Sequence, residues 1–132
     1  MARDEADEEE ILVIARTWRG AVRREDRDAY AEYMQETGVV GYVATPGNRG
    51  VWMLRRDLED VTEFVMFTLW DSMDAVRRFA GEDPETAVFY PDDDRFLVER
   101  DLQSRHFEVI AHAPGPGAEG GRPESPSPST RS

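Results

Sequence analysis

Two segments of this chain are apolar at both alternating parities: residues 11–18, Ile-Leu-Val-Ile-Ala-Arg-Thr-Trp, and residues 64–70, Phe-Val-Met-Phe-Thr-Leu-Trp. Successive side chains of a strand point to opposite faces. Strands of this kind therefore ask for cover on both sides. A chain of 132 residues has room for one domain with a single two-layer core. One layer of helices can cover one face of a sheet, and the cheapest cover for the other is a second copy of the same sheet. A homodimer is the resulting expectation.

The remaining pattern supplies the other elements. After Gly20, the residues Ala29, Tyr30, Tyr33, Met34 and Thr37 follow the i, i+3, i+4, i+7 spacing of a helix with one buried stripe, and Gly38 is a credible stop. Val39–Ala44 reads as a short strand. Thr45-Pro-Gly-Asn-Arg-Gly50 is turn chemistry, with Asn48 suited to a left-handed turn. Val51–Leu58 and Val61–Trp70 read as two strands joined by a short hairpin connection at Glu59-Asp60. Asp71-Ser72 can cap a second helix whose stripe is Met73, Val76, Phe79 and Ala80, ending at Gly81. Asp83-Pro84 looks like a cap with proline at the first helical position, opening a short helix to about Tyr90. Pro91 and three aspartates then break the chain into a solvated loop, and Leu102–Ala111 reads as the last strand. The order is strand, helix, strand, strand, strand, helix, strand. This predicts an α+β class: a ferredoxin-like split βαβ antiparallel sheet with helices on one face, paired as a dimeric α/β barrel.

Charge and composition narrow the function. The formal net charge is −12. Residues 1–10 hold six acids and one Arg, an acidic arm read as disordered. Residues 113–132 are charge-balanced, and Gly, Pro and Ser make up 13 of those 20, a composition that cannot bury enough apolar surface to order itself. The working domain is 11–112. Its acidity disfavours nucleic acid, whose binding rests on cationic neutralisation of phosphate. The longest uncharged apolar run, Phe64–Trp70, spans seven residues, against about 20 needed to cross a bilayer, so no membrane is expected. The N-terminus lacks the apolar stretch of a signal peptide. Without cysteine there are no disulfides, thiolate metal sites or cysteine nucleophiles, and a cytoplasmic setting fits.

Between about residues 11 and 110 the sequence resembles the antibiotic biosynthesis monooxygenase family of dimeric α/β barrels. The resemblance rests on a strand ending in Trp70, then Asp71-Ser72, a helix with Ala75 and Phe79, then Asp83-Pro84 and Ala87. Relatives include cofactor-free oxygenases of aromatic polyketides, heme-degrading monooxygenases and polyketide cyclases. The resemblance implies a flat hydrophobic ligand between sheet and helices, with Trp70 kept from the polyketide-oxygenase set. That set's Asn falls at Met66, its helix Tyr at Val76 and its Arg near Tyr90. The heme-degrading set falls at Thr17, Phe79 and Phe89, none of which carries its Asn, Trp or His.

The site expected on these grounds has Trp70, His106 and Tyr90 as the reacting group. Arg16, Thr17, Tyr42, Met66, Phe79 and Phe89 would hold the substrate. His106 is the mid-domain group with an intrinsic pKa near neutrality, and Tyr90 beside Pro91 can bring a hydroxyl to a cavity. Arg16 within an apolar strand needs a carboxylate partner or the dimer interface; its sharper role is to meet a substrate carboxylate or a developing oxyanion. No metal site is expected: His106 and His112 on one strand stand about 20 Å apart at about 3.3 Å per residue. The expected chemistry is cofactor-independent. A phenol or enol loses a proton, passes an electron to O2, and its anion is held by nearby donors. The alternatives are a polyketide cyclase, or a dimer that binds heme or another small ligand without catalysis.

Overall fold

The computed structural model describes residues 13–117. The acidic arm at 1–10 and the tail beyond 117 lie outside the described residues. The elements are β1 (Val13–Arg23), a single 3-10 turn (Arg24–Asp26), α1 (Arg27–Glu36), α2 (Gly38–Ala44), β2 (Asn48–Asp57), β3 (Val61–Trp70), α3 (Met73–Ala80), α4 (Asp93–Phe96), β4 (Leu97–Arg100) and β5 (Arg105–Val109). The five strands form one antiparallel sheet in the order β2-β3-β1-β4, with β5 also paired to β1. This is the ferredoxin-like α+β fold, with its last strand cut in two.

β1 is the spine. It pairs with β3 from Ile14↔Trp70 to Arg23↔Val61. Along its other edge it pairs with β4 at Gly20↔Arg100 and with β5 at Arg16↔His106. Even-numbered residues of β1 and β3 face the helices. Ile14, Trp18, Val22, Phe64, Met66 and Trp70 are all buried there, at roughly 2–3 kcal/mol of hydrophobic stabilisation for each large side chain. α1 lays Tyr30 edge-on against Phe64, with ring centroids 5.0 Å apart. α2 and α3 bring Tyr42 and Phe79 against Trp70, at 6.3 and 5.7 Å. The odd residues face away. On that side Trp52 sits edge-on to Phe67 at 5.8 Å, and Trp52, Leu54 and Phe107 are about half exposed.

The second helix forms as its sequence indicates. Ser72 Oγ accepts from the Ala75 amide at 3.1 Å, and Gly81, with φ of 98°, ends α3. Five local expectations are corrected. Val39–Ala44 is helical, because Tyr42 must face inward onto Trp70 and Phe79 while Val40 and Val43 stay exposed, a period of about 3.6 rather than 2. No helix opens at Asp83-Pro84: the carbonyls of Pro84 and Thr86 are taken by Arg16, and Thr86 bridges to Gln103. The three aspartates are not a wholly solvated loop, since Asp93 begins α4 and is 3% exposed. The last strand is not continuous from Leu102: pairing to β1 breaks between Arg100 and Arg105, and Leu97–Arg100 pairs before the break. At the β2 turn it is Gly47 and Gly50 that take positive φ. Asn48 starts the strand and accepts from the Gly50 amide at 3.0 Å.

Candidate functional site

Arg16 is the centre of the inner face. It is 2% exposed, and no carboxylate among the described residues lies within ion-pair distance of its guanidinium. Instead, Nε–H donates to His106 Nε2 at 3.2 Å, and Nη2–H donates to the carbonyls of Pro84 at 3.3 Å and Thr86 at 3.1 Å. Its Cζ lies 5.4 Å from the centre of the Phe79 ring, within cation–π range. A buried cation without a counter-ion is costly. The expectation of a carboxylate partner for Arg16 is not met within the described chain.

Electrostatics follow from the burial. Desolvation lowers the Arg16 pKa, and the Tyr42 phenol pulls it the other way. Tyr42 is pushed up to about 12 by burial, against the downward pull of Arg16. His106 is lowered by burial and then by the Arg16 charge. It is therefore neutral near pH 7. Because Nε2 accepts from Arg16, its proton belongs on Nδ1.

The expected residues divide by where the strands and helices place them. Trp70 is fully buried and donates from Nε1 to Thr68 Oγ1 at 2.8 Å. Thr68 in turn donates to the Arg16 carbonyl at 3.3 Å. Tyr42 stacks on Phe79 at 4.5 Å between centroids, so Arg16, His106, Tyr42, Phe79 and Trp70 form one connected group. Tyr90 comes to its edge: a Cβ built at Gly41 would stand 2.6 Å from the Tyr90 hydroxyl and 3.6 Å from Phe79. Met66 is buried on the same face, two residues from Thr68 and in register with Trp18. Phe89 packs edge-on to Trp18 at 6.0 Å, under the Arg100 guanidinium at 4.8 Å, one step along β1 from Arg16. Thr17 departs from the expected group. Strand alternation turns it to the open face, opposite Phe67 and Arg105.

Sequence reasoning missed Thr68, Gly41 and Asp93. Thr68 shares the parity of Trp70, which was a readable signal. Asp93 had none, standing between two other aspartates. It accepts from the Tyr30 hydroxyl at 3.1 Å and the Tyr90 amide at 2.7 Å, and burial raises its pKa. Ser104, on the β5 side of the strand break, has a buried hydroxyl with no partner among the described residues. A concavity of about 470 Å³ lies beside it, lined by Asp101–Arg105. Within the aromatic group Trp70 and Tyr42 are buried, while Phe79 and Tyr90 are partly covered. No three His, Asp or Glu side chains among the described residues converge to hold a metal ion, and none of the described helices is long and apolar enough to cross a membrane.

Solved structures resemble this fold. A Bacillus cereus protein proposed to be an antibiotic biosynthesis monooxygenase is 14% identical, with a TM-score of 0.58 over 79% of this chain and 99% of that one. The likeness shows the fold alone. A NIPSNAP-like domain protein from Burkholderia xenovorans is 11% identical, with a TM-score of 0.52 over 80% of this chain and 91% of its own. SnoaB, a cofactor-independent oxygenase from Streptomyces nogalater, is 18% identical over 80% of this chain and 97% of its own. Its TM-score of 0.46 is too low to add weight. No protein-family model matches the sequence, and no curated protein matches it.

Proposed function

We propose that this protein is a cytoplasmic, cofactor-independent monooxygenase acting on a flat hydrophobic aromatic molecule with an acidic C–H or O–H, and that it works as a homodimer. The observation that carries this reading is Arg16, buried with no carboxylate partner among the described residues and hydrogen-bonded to a neutral imidazole. A fixed guanidinium in a dry site favours an anion that forms beside it, and the imidazole is the adjacent proton acceptor. Phe79, Tyr42 and Trp70 supply flat apolar surface around them.

The chemistry balances without a cofactor. His106 takes a proton from the activated CH2 of an anthrone-like substrate, after its bond to Arg16 opens. The carbanion gives its electron pair, one electron at a time, to O2, and a C–O bond forms as a peroxide anion beside Arg16. His106 returns the proton to give the hydroperoxide. Loss of water then leaves a carbonyl: one oxygen stays on carbon, the other leaves as water, and the four electrons come from the two C–H bonds broken. The chain supplies orientation, a base and a positive charge.

The homodimer reading is supported by the open sheet face. Trp52, packed on Phe67, and Leu54 and Phe107 are exposed apolar side chains on that face, of the kind that marks an interface. Sedimentation equilibrium is expected to give twice the chain mass, and Phe67→Asp to give the single mass. A single mass for the unmodified protein would end that part of the reading. The test of function is oxygen uptake with dithranol as the anthrone. Uptake with ketone formation, lost in Arg16→Met, is the expected result. A Soret band on heme titration with no uptake would favour the ligand-binding alternative. Dithranol isomerised or cyclised without uptake would favour the cyclase.

A further inference from the structure

We propose that Tyr90 decides what reaches Arg16, and that Gly41 is the seat of its hydroxyl. This inference rests on the reading of Arg16 and His106 as a ligand site. Gly41 lies in the interior of α2, where glycine costs about 1 kcal/mol relative to alanine. Its φ is not positive, unlike Gly47, Gly50 and Gly81, so backbone freedom does not require it. What does require it is space: a Cβ there would meet the Tyr90 hydroxyl at 2.6 Å. The missing side chain is explained by the ring that docks on it.

The docked ring covers the aromatic group on its Phe79 side. Trp70 and Arg16 are buried and Tyr42 nearly so, while Tyr90 and Phe79 are only partly covered. Tyr90 projects from the helix-free stretch 81–92, whose backbone is pinned at several points, among them Ala87 N–H to the Leu102 carbonyl and Asp92 N–H to the Tyr33 hydroxyl. Arg16 holds the carbonyls of Pro84 and Thr86. Asp93 holds the Tyr90 amide, and Tyr30 holds Asp93. The backbone can stay in place while the ring pivots off α2. On this reading the seated ring bars a flat aromatic from Arg16, and its entry requires the pivot. Tyr90 is therefore a size-selecting residue and makes no bond to the reacting atoms.

Phenylglyoxal tests this without assuming a substrate, because it is itself a flat aromatic and labels arginine. All sixteen basic residues are arginines, so each site can be mapped by mass spectrometry against exposed Arg95, whose side chain is 66% exposed. In the unmodified protein Arg16 is expected to label at least about tenfold more slowly than Arg95, because labelling tracks the open population. Gly41→Ala, which unseats the hydroxyl, and Tyr90→Ala, which removes the ring, should each speed Arg16 by about tenfold and leave Arg95 unchanged. Gly41→Ala combined with Tyr90→Phe should restore slow labelling, since the clashing oxygen is gone. The proposal is overturned if both single variants keep Arg16 at its original rate, or if all arginines accelerate together. If the variants open Arg16 while dithranol is neither bound nor oxidised by the unmodified protein, the oxygenase reading fails and the role of Tyr90 stands.

Discussion

Arg16 and Arg19 lie three residues apart on β1 and face opposite sides of the sheet. Arg19, on the open face, is held by Glu63 at 2.5 Å and Glu99 at 3.1 Å, and Arg56 grips the other oxygen of Glu63 at 2.5 Å. Its pKa is raised, first by its bond to Glu63. Arg16, on the helix-covered face, has no such partner among the described residues, and its pKa is lowered by burial. One strand thus carries a charge that is neutralised where water could have screened it, and another left uncompensated where screening is weakest. Stability explains the first arrangement. It does not explain the second, which fits the role proposed for Arg16 in holding a negative charge.

The largest effect that separates the two faces should be on packing. Trp70→Ala removes a fully buried ring and is expected to cost about 3–5 kcal/mol, whereas Trp52→Ala on the open face should cost the monomer less than about 1 kcal/mol. Urea melts at concentrations below dimer dissociation measure both. Similar losses for the two would mean the open face is part of the monomer's own core.

Catalysis should separate the two arginines next. Arg16→Met is expected to lower oxygen uptake with dithranol on the order of 10²-fold, the scale of losing a donor to a developing oxyanion. Arg19→Met should leave turnover near its original value while weakening stability. His106→Gln keeps an acceptor for Arg16 but cannot take a proton, and about a tenfold loss is expected with little change in melting temperature. Loss of activity and stability in step for Arg16 and His106 would make them scaffold.

Much of the scaffold was readable from residue patterns. The described part of the apolar run at 11–18, from Val13 on, and the run at 64–70 became the two central strands, and Asp71-Ser72 through Gly81 became a capped helix within one residue. The failures share a cause: local preference lost to a distant partner. Val39-Val40-Gly41-Tyr42-Val43 has the composition of a strand, but the aromatic group formed by Trp70 and Phe79 draws Tyr42 inward on a helix. Asp83-Pro84 is a good helix start in isolation, yet Arg16, sixty-eight residues away in sequence, takes the Pro84 carbonyl that a helix would need. For the site, alternation puts Thr68 and Trp70 on one face of their strand, but only the registers Arg16↔Thr68 and Arg16↔His106 bring Arg16 to that face and the imidazole to the guanidinium. Thr17 was named because of the family position it fills, and alternation puts it on the other face.

A smaller effect concerns pH. Glu63 is held below the usual carboxylate range by its bond to Arg56 and then by Arg19. A depressed folded pKa supplies stability that is complete above the unfolded value of about 4.5 and is lost as pH falls through the folded value. Melting temperatures followed from about pH 6 down to about pH 3 should therefore fall more steeply in the unmodified protein than in Glu63→Gln. Equal slopes would show that the Arg19–Glu63–Arg56 group adds nothing to folding.

The central claim is that Arg16 stabilises a negative charge on a bound aromatic, and the pKa of a bound naphthol reads this directly. Absorbance separates naphthol from naphtholate, so the ionisation of the bound ligand can be titrated in the unmodified protein and in Arg16→Met. Burial alone would raise that pKa in both proteins, as it raises Tyr42. The account expects the value in the unmodified protein to lie at least about one unit below that in Arg16→Met, the equivalent of about 1.4 kcal/mol of preference for the anion. The same bound pKa in both proteins would contradict it.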